Sequence, residues 1–294
     1  MRIVSLVPAG TEIVCALRLA PSLVAVTHDC DYPPEVVRLP RVTHSTIPPR
    51  ASARDIDVAV REAAASADST FHLDAAALRD ARPDVIVGQT LCAVCAVTLD
   101  QLPALRARVV PLEAGSLEGM LADIARVADA LAVDGAGARL VAELRSRLDR
   151  VADATRGRAR PRVACLEWLD PLFFGGHWVP EQVATAGGDD VLARPGERSR
   201  EIAFDDLARA DPDVVVLMPC GFHLDRARED ADALLRDPRW SALRAARAGR
   251  VHPVDGAAYF SRPGPRLVDG AELLADLLHP ELAVAPRAYT RATN

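Results

Sequence analysis

Three short sequence patterns occur twice in this chain, in the same order. Arg2–Leu6 is echoed by Arg162–Leu166, Leu78–Val87 by Leu207–Val216, and Arg106–Leu112 by Ala248–Val254. In both copies the second pattern contains a helix end, a proline that stops the helix and a β-rich run. Each match is weak alone because helix–Pro–Asp–Val sequences are common in α/β proteins, but three in register predict two similar lobes.

Between these patterns, short β-rich runs alternate with Ala- and Leu-rich helical stretches. This alternation is typical of parallel sheets covered by helices. We predict strands at Ile3–Val7, Leu23–Thr27, Asp84–Gly88 and Asp213–Met218, and helices at Thr11–Leu19 and near Leu73–Ala81. Thr11 is the expected N-cap of the first helix.

The two copies are separated by apolar residues at helical spacing over residues 116–155. One helix of this length would reach about 60 Å at 1.5 Å per residue, with Gly135 and Gly137 as points where it bends or breaks. We therefore predict an α/β protein of two Rossmann-like lobes with central β-sheets, joined by one long α-helix, with a ligand cleft between the lobes. The predicted boundaries are an N-terminal lobe at 1–114, the interlobe helix at 115–158, a C-terminal lobe at 159–282 and a tail at 283–294.

Charge excludes several partners. The chain has 35 basic and 41 acidic residues, a net charge of −6, and it lacks a basic run, so neither nucleic acid nor an anionic membrane surface is expected as a partner. Charges interrupt every apolar stretch before the roughly 20 residues that span a bilayer, so no membrane insertion is expected. The opening Met1–Leu6 does not resemble a secretory signal, which predicts a cytoplasmic protein with reduced thiols. The alternative is a periplasmic or extracytoplasmic protein whose signal has been removed.

Ligands of open α/β sheets bind beyond the carboxyl ends of the strands, so the segments after the strands are the candidate sites. Pro8 and Ala9 lead into a helix N-terminus that could hold a phosphate or carboxylate, although a turn that merely starts a helix is the more common case. His28, Cys30 and Tyr32 follow the second strand, in a loop stiffened by two prolines.

A C-x-x-C pair, Cys92 and Cys95, follows a later strand. Together with Cys30, and with His28 or His177 as a fourth ligand, these thiols could hold zinc or another soft metal, or act in redox chemistry. A single C-x-x-C is a weak signal, and small buried cysteines in a packed loop are the more frequent explanation. Two other cysteines, Cys15 and Cys165, are expected in the core.

Aromatic residues are 4% of the chain, yet four of them lie in one loop, Glu167–Glu181. Such a concentration predicts one wall of a site for a flat or bulky apolar ligand, the alternative being a loop anchored by its own rings. Pro219–His223 follows a neighbouring strand and should border the same cleft. Arg262 could donate a fork of hydrogen bonds to amide or phosphate oxygens.

With these residues in view, the chain resembles the cobalamin-binding proteins of ABC importers over about residues 1–280. The resemblance rests on Arg2–Glu12, on Pro83–Val85 and Pro212–Val214, on Gly187-Gly188 and on Tyr259–Arg266. A signal-less branch of that family carries sequences similar to Asp29–Pro33, Leu91–Ala96 and Gly176–Pro180.

The resemblance implies a non-catalytic module that binds cobalamin, with Arg262 as a ligand contact and aromatic side chains as walls. The expected ligand-binding residues are Pro8, Ala9, His28, Tyr32, Trp168, Phe173, His177, Trp178, Tyr259 and Arg262. An ABC permease is the expected partner if the protein is exported. The exported relatives lack the His28, Cys30, Cys92 and Cys95 cluster, so the alternative is a cytoplasmic metal-binding protein or thiol-dependent enzyme that uses these cysteines in the same cleft.

Overall fold

The computed structural model describes residues 1–66, 68–90 and 102–285. Two compact units divide the chain: unit 1 comprises Met1–Ala114 and Glu118–Glu143, and unit 2 comprises Gly115–Leu117 and Leu144–Asn294. Both units are α/β, with parallel strands at the centre of their sheets, which confirms the predicted fold class.

Unit 1 contains a four-stranded parallel sheet and a separate antiparallel ribbon. Its strands are β1 (Ile3–Ser5), β2 (Leu23–Ala25), β3 (Thr43–Ser45), β4 (Phe71–Leu73), β5 (Val85–Gln89) and β6 (Arg108–Leu112). The parallel sheet has the order β2-β1-β5-β6, whereas β3 pairs with β4 in the ribbon. β1 and β5 are buried throughout, as expected for strands covered on both faces.

The helices packed on unit 1 are α1 (Pro8–Ala16), α2 (Ala53–Ala65) and α3 (Ala75–Ala81). Helix α1 begins three residues before the predicted start, because Pro8 suits the first turn, where a missing N–H costs nothing. Val7 is therefore the N-cap, and the prediction of Thr11 as N-cap is wrong. Asp74 caps α3, accepting hydrogen bonds from the backbone N–H groups of the second and third helical residues.

The connecting segment is helical as predicted, but it forms two helices instead of one, α4 (Leu117–Ala130) and α5 (Asp134–Thr155). Ala132 adopts a left-handed conformation (φ 57°), and Val133 donates its N–H to the carbonyl of Ala128 at 2.9 Å, which ends α4. Gly137, one of the two glycines expected to bend the segment, allows the start of α5 to lie close to α4. A Cβ on Gly137 would be 2.3 Å from the Cβ of Ala128.

Unit 2 is built on a five-stranded sheet with the order β11-β10-β7-β8, to which β9 is added through β7. The strands are β7 (Arg162–Leu169), β8 (Leu172–Phe174), β9 (Asp189–Asp190), β10 (Val214–Leu217) and β11 (Val251–Pro253). The helices are α6 (Val179–Thr185), α7 (Phe204–Ala210), α8 (Leu224–Leu235), α9 (Pro238–Ser241), α10 (Arg244–Arg247), α11 (Gly256–Tyr259) and α12 (Leu267–Leu278). All pairs are parallel except the β7–β8 hairpin.

A buried ionic group joins α5 to α12. Arg147 bonds both oxygens of Glu272, at 2.9 and 2.6 Å, and one oxygen of Asp269 at 2.5 Å. Both carboxylates are almost fully buried. Because a buried charge without a partner is costly, the three side chains require one another.

The sequence repeat recurs at the level of single hydrogen bonds. The backbone N–H of Arg2 donates to Asp84 Oδ2 at 2.7 Å, and that of Arg162 donates to Asp213 Oδ2 at 2.8 Å. In return, each aspartate donates its own N–H to the carbonyl of the same arginine at 2.8 Å. The same residues therefore fasten the first strand of each unit to its neighbour.

The helix that precedes each of these junctions also ends in the same way. Arg82 (φ 44°) and Asp211 (φ 41°) are left-handed C-caps, and each is followed by proline. Proline cannot continue a helix and favours an extended residue before the strand. The predicted sequence of helix end, proline and strand is confirmed in both units.

Across the described residues, no helix combines the length and the apolar character needed to cross a membrane.

Candidate ligand-binding site

In unit 2 the parallel strands β7, β10 and β11 end at one edge of the sheet, which we call the unit 2 edge. The segments that follow them are the turn into β8, the residues 218–223 and the residues 254–262. Parallel strands bring such segments together at the position where α/β proteins bind ligands. The backbone N–H of Cys220, in the second of these segments, donates to the carbonyl of Glu167 near the end of β7 at 2.8 Å.

A pair of aromatic rings lies on this edge. Trp168 and Phe222 are half-buried, their ring centroids are 5.3 Å apart, and their planes are inclined by 53°. The guanidinium of Arg226 lies over the ring of Phe222, at 4.9 Å from its centroid. Phe173 is the cross-strand neighbour of Trp168 in the β7–β8 hairpin. Tilted and offset arrangements of this kind are the favourable ones for aromatic pairs.

Beside these rings, His223 Nδ1 lies 3.0 Å from Asp255 Oδ2. The other oxygen of Asp255 accepts the N–H of Ala258 at 2.7 Å and caps α11, so the carboxylate is fixed in place. A carboxylate on Nδ1 favours the tautomer with its proton there and leaves Nε2 as the basic atom. The His223 side chain is 57% exposed.

The last part of the unit 2 edge is residues 259–262, between α11 and α12. Tyr259 and Arg262 are both half-buried. The hydroxyl of Ser261 donates to the carbonyl of Gly256 at 2.8 Å. Gly256 has no room for a side chain, because a Cβ would lie 2.3 Å from the carbonyl oxygen of Pro219. This glycine therefore lets the segments after β10 and β11 pack directly on each other.

His177 and Trp178 directly precede α6, and Trp178 is the N-cap residue of that helix. His177 is left-handed (φ 56°), and its backbone N–H donates to the carbonyl of Glu197 at 2.6 Å. Burial, and to a lesser degree Arg198, lower the pKa of its imidazole, so the neutral form is favoured at neutral pH. Trp178 is 6% exposed, and its indole N–H donates to the carbonyl of Phe260 at 2.7 Å. The structure therefore places Trp178 in the packed interior.

The corresponding edge of unit 1 carries polar side chains in the described residues that follow β1 and β2. His28 Nδ1 lies 2.7 Å from the hydroxyl of Thr43, and its ring stacks on Phe71 with centroids 5.3 Å apart. Burial lowers the pKa of His28, and the nearby Asp29 opposes this shift. The imidazole is thus oriented by neighbours within its own unit.

Cys30 is 1% exposed in unit 1. Its sulfur lies 3.0 Å from the hydroxyl of Thr11 and 3.1 Å from that of Thr27. The guanidinium of Arg41 donates to the carbonyls of Thr27 and Cys30, at 2.7 and 2.9 Å. These contacts fasten the loop that follows β2. They also explain why Thr11 lies inside a helix, where its hydroxyl reaches a residue 19 positions away.

The other predicted contacts of unit 1 differ in exposure. Pro8 is half-buried at the start of α1, whereas Ala9 is buried behind it. Tyr32 is 46% exposed and precedes a cis proline. Among these three, Pro8 and Tyr32 present surface to which a ligand could bind.

Comparison with known proteins places the chain in a family. Residues 3–257 match the family described as "Periplasmic binding protein". The chain belongs to this family. YhfQ of Bacillus subtilis strain 168, named as an ABC transporter substrate-binding lipoprotein, is 29% identical over 105 residues, which are 36% of this chain and 31% of that protein. The chain thus matches about a third of the length of that relative.

Solved structures of periplasmic binding proteins share the fold over nearly the whole chain. The apo heme-binding protein RhuT from Roseiflexus sp. RS-1 has a TM-score of 0.73 and 24% identity, and covers 96% of this chain and 98% of its own. The vitamin B12 binding protein BtuF of Vibrio cholerae has a TM-score of 0.67 and 21% identity, with coverage of 94% and 96%. At these identities the likeness establishes the two-lobed fold of the family.

The expected thiol cluster falls partly outside the described residues, because Cys92 and Cys95 lie at positions 91–101. Within 1–66, 68–90 and 102–285, no group of three or more His, Cys, Asp or Glu side chains could hold a metal ion. Cys30 is surrounded by hydroxyl groups, as described above. The metal site therefore stays a prediction that the described residues do not support.

The two cysteines expected in the core behave as protonated thiols. Cys165 is buried inside β7, and burial raises its pKa well above the usual value. Cys15 is only partly buried on α1, and burial is the main cause that raises its pKa to about 12. Neither thiol is a nucleophile at neutral pH, since the reactive form is the thiolate.

Unit 2 has a recess of about 340 Å³ at the end of α5. Three arginines line it: Arg156, Arg158 and Arg160. Each forms an ion pair with a neighbouring carboxylate, respectively that of Asp153, Glu281 and Asp189. Because these charges are balanced, the unit 2 edge is the better candidate for ligand binding.

Proposed function

We propose that this protein is the substrate-binding component of an ABC importer and that its ligand is a flat, metal-bearing macrocycle of the corrinoid or heme class. Membership of the periplasmic binding protein family supports the binding role. It also favours a location outside the cytoplasm over the cytoplasmic location expected above. A permease is then the protein partner.

The observation that carries the proposal is the arrangement of Trp168, Phe222 and His223 on the unit 2 edge. The two rings supply apolar surface for a macrocycle face, and the imidazole is oriented by Asp255 in the way that metal-ligating histidines usually are. Trp168, Phe173, Tyr259 and Arg262 keep their predicted roles as ligand contacts. Pro8 and Tyr32 remain the proposed contacts of unit 1.

The names of structural neighbours support the ligand class but do not distinguish a corrinoid from heme. RhuT is named for heme and BtuF for vitamin B12. Cobalamin is our first choice because the sequence motifs resemble the cobalamin-binding family, and heme is the second. Both ligands carry a metal that accepts an imidazole nitrogen.

The test is a titration of the purified protein with hydroxocobalamin, dicyanocobinamide and hemin, followed by visible absorbance and calorimetry. We expect at least one of them to bind with a Kd below about 10 μM. If none binds below about 100 μM, which corresponds to roughly 5.5 kcal/mol, the proposal is overturned.

Two variants then locate the site. Phe222→Leu should raise the Kd at least tenfold, because it removes half of the ring pair. The matched control is Phe204→Leu: Phe204 packs against the buried Trp240 at 5.4 Å and lies under Arg239, so it has the same kind of environment in the core. Equal effects of the two substitutions would contradict the assignment.

Axial ligation is tested by the spectrum of the complex. His223→Ala should shift the visible bands of the bound macrocycle, whereas His28→Ala should not, because the His28 ring is held between Thr43 and Phe71. The comparison also includes His177→Ala, since the neutral imidazole of His177 is the alternative ligand on unit 2. A spectrum that responds only to His177→Ala would transfer the role to that residue.

A further inference from the structure

Two buried polar side chains lie one turn apart at the N-cap of α6 and within that helix. Trp178 is 6% exposed and Gln182 is fully buried. Residues four apart lie on the same face of a helix, so both side chains point toward the same neighbour. That neighbour is the segment that connects α11 to α12.

Their N–H groups donate to three backbone carbonyls of this segment. The Trp178 indole donates to Phe260 at 2.7 Å. The Gln182 amide donates to Tyr259 at 3.2 Å and to Leu267 at 2.8 Å. A single amide therefore bridges the residue before the 260–266 loop and the residue after it.

The carbonyls of Tyr259 and Phe260 need such partners because they stand at the end of α11, which has only four residues. The last carbonyls of a helix have no partner within it and must find one elsewhere. Helix α12 also lies too close for water at this point: a Cβ on Gly270 would be 2.4 Å from the Tyr259 carbonyl oxygen and 2.6 Å from Gln182 Nε2. The loop is thus held from α6 through side chains in a dry environment.

Gln182 shows that this arrangement has a cost. Its Oε1 is buried and accepts no hydrogen bond from the described residues. A buried polar atom without a partner is destabilising by roughly 1–3 kcal/mol, so an apolar residue of similar size would suit a purely packed core better. The two hydrogen bonds that the Gln182 amide donates hold the ends of the 260–266 loop in place.

We propose that Trp178 and Gln182 are positioning residues that set the geometry of residues 259–262 and, through it, the affinity of the unit 2 edge for its ligand. The inference rests on the proposed function, which places Tyr259 and Arg262 in contact with the ligand. Contacts of this kind depend on placement to about half an ångström. Trp178 therefore acts from the interior, behind the ligand-binding surface.

The variants are Trp178→Phe, which keeps a ring and removes the N–H, and Gln182→Met, which keeps the length and removes the amide. The matched control is Trp240→Phe, since Trp240 is equally buried in the same unit but packs against Phe204. The first readout is amide hydrogen exchange in the unliganded protein. Both variants should accelerate exchange in residues 259–266 at least tenfold, and the control should leave it unchanged.

The second readout is the Kd of whichever probe binds best among hydroxocobalamin, dicyanocobinamide and hemin. We expect a rise of about fivefold to thirtyfold for both variants and less than twofold for Trp240→Phe. In an Arg262→Ala background the effect of Trp178→Phe should shrink to less than twofold, because the two changes act through one group. Full additivity would overturn the positioning role.

The two proposals fail separately. If the wild-type protein binds none of the three probes, the proposed function is overturned, while accelerated exchange would still support the positioning of the loop. If exchange in 259–266 is no faster in the variants than in the control, the positioning role is overturned whatever the wild-type protein binds.

Discussion

Each unit has parallel strands whose carboxyl ends lie at one edge of its own sheet. The polar side chains that follow those strands differ between the two units. In unit 1 the imidazole of His28 and the thiol of Cys30 are turned inward onto hydroxyl groups of their own unit. In unit 2 the imidazole of His223 is held by a carboxylate and is more than half exposed. Polar residues after a strand are therefore not by themselves evidence of a binding site.

The difference shows what distinguishes a site from a well-fastened loop. In unit 1, Cys30 is buried among hydroxyl groups, and His28 is oriented through Nδ1, while its Nε2 is buried without a hydrogen-bond partner among the described residues. In unit 2, His223 is oriented by Asp255, and more than half of its side chain is exposed. This contrast can be measured through the stability of substituted proteins.

Glycines at the start of a helix provide the largest contrast. Gly256→Ala should destabilise the protein by about 3 kcal/mol, because the new Cβ would meet backbone oxygens at 2.3 and 2.6 Å. Gly10→Ala in unit 1 should cost only about 1 kcal/mol, since its nearest atoms belong to the side chains of Val87 and Ser5, at 2.8 and 2.9 Å. Urea unfolding measures both, and Gly115→Ala, with no atom within 4 Å, is the control. Equal losses for the first two would break the contrast.

Unit 2 also contains a buried carboxyl group, that of Asp190, which is expected to lower the stability of the protein when it is ionised. Burial raises its pKa from 3.8 to about 6, although one oxygen accepts the N–H groups of Leu192 and Ala193. Between about pH 4 and pH 6 the folded state holds this proton and the unfolded state does not. The free energy of unfolding should therefore fall by up to about 3 kcal/mol as the pH rises through that range.

Asp190→Asn should remove this fall, which urea unfolding at pH 4, 5, 6 and 7 would detect. Asp206 is the control of opposite sign: hydrogen bonding to Arg209 lowers its pKa, so its contribution is present above its unfolded pKa and is lost as the pH falls. If Asp190→Asn leaves the pH dependence unchanged, the carboxyl is not protonated in the folded protein.

The two histidines test the contrast directly. His28→Ala should cost about 2 kcal/mol, because it removes a hydrogen bond to Thr43 and a stacked contact with Phe71. His223→Ala should change stability by less than about 0.5 kcal/mol, as expected for an exposed side chain. Thermal unfolding measures the difference. A larger loss for His223→Ala would reverse the roles that we assign to the two edges.

The smallest effect concerns the thiols. Cys30→Ala should cost about 1 kcal/mol, because the hydroxyls of Thr11 and Thr27 would lose a neighbour at 3.0 and 3.1 Å. Cys220→Ala, at a half-buried position on the unit 2 edge, should cost less than about 0.5 kcal/mol. Elemental analysis of both variants should show the same metal content as the wild type. A loss of bound zinc in Cys30→Ala alone would revive the thiol-cluster hypothesis.

Much of the fold could be predicted because it depends on local sequence patterns. Proline stops, β-rich runs and the repeated Pro–Asp–Val junctions were enough to predict two α/β lobes. The start of α1 was predicted wrongly because a capping rule is local, whereas the Thr11 hydroxyl contacts Cys30, which only the folded chain brings near. A bend or break was expected at Gly135 and Gly137, but the two helices separate at residues 131–133, and both glycines lie in the first turn of α5.

The candidate site was predictable in position and less so in detail. The concentration of rings in Glu167–Glu181 and the strand-end rule both indicated the unit 2 edge. The burial of Trp178 was not foreseeable, because its partner, Phe260, is 82 residues away. The His223–Asp255 pair could have been found, since the two residues follow neighbouring strands. Cys92 and Cys95 lie outside the described residues and remain a prediction.

The left-handed helix ends at Arg82 and Asp211 have a consequence for protein engineering. A residue with a Cβ adopts this conformation at a cost that glycine avoids, and glycine is the usual residue at such helix ends. Arg82→Gly and Asp211→Gly should each recover about 0.5–1 kcal/mol. Both positions lie at helix ends that precede a strand, at a distance in the topology from the carboxyl edges. The junction that repeats along the chain therefore offers two sites for raising heat resistance, of which Asp211 also pairs with Arg244, while the unit 2 edge stays intact.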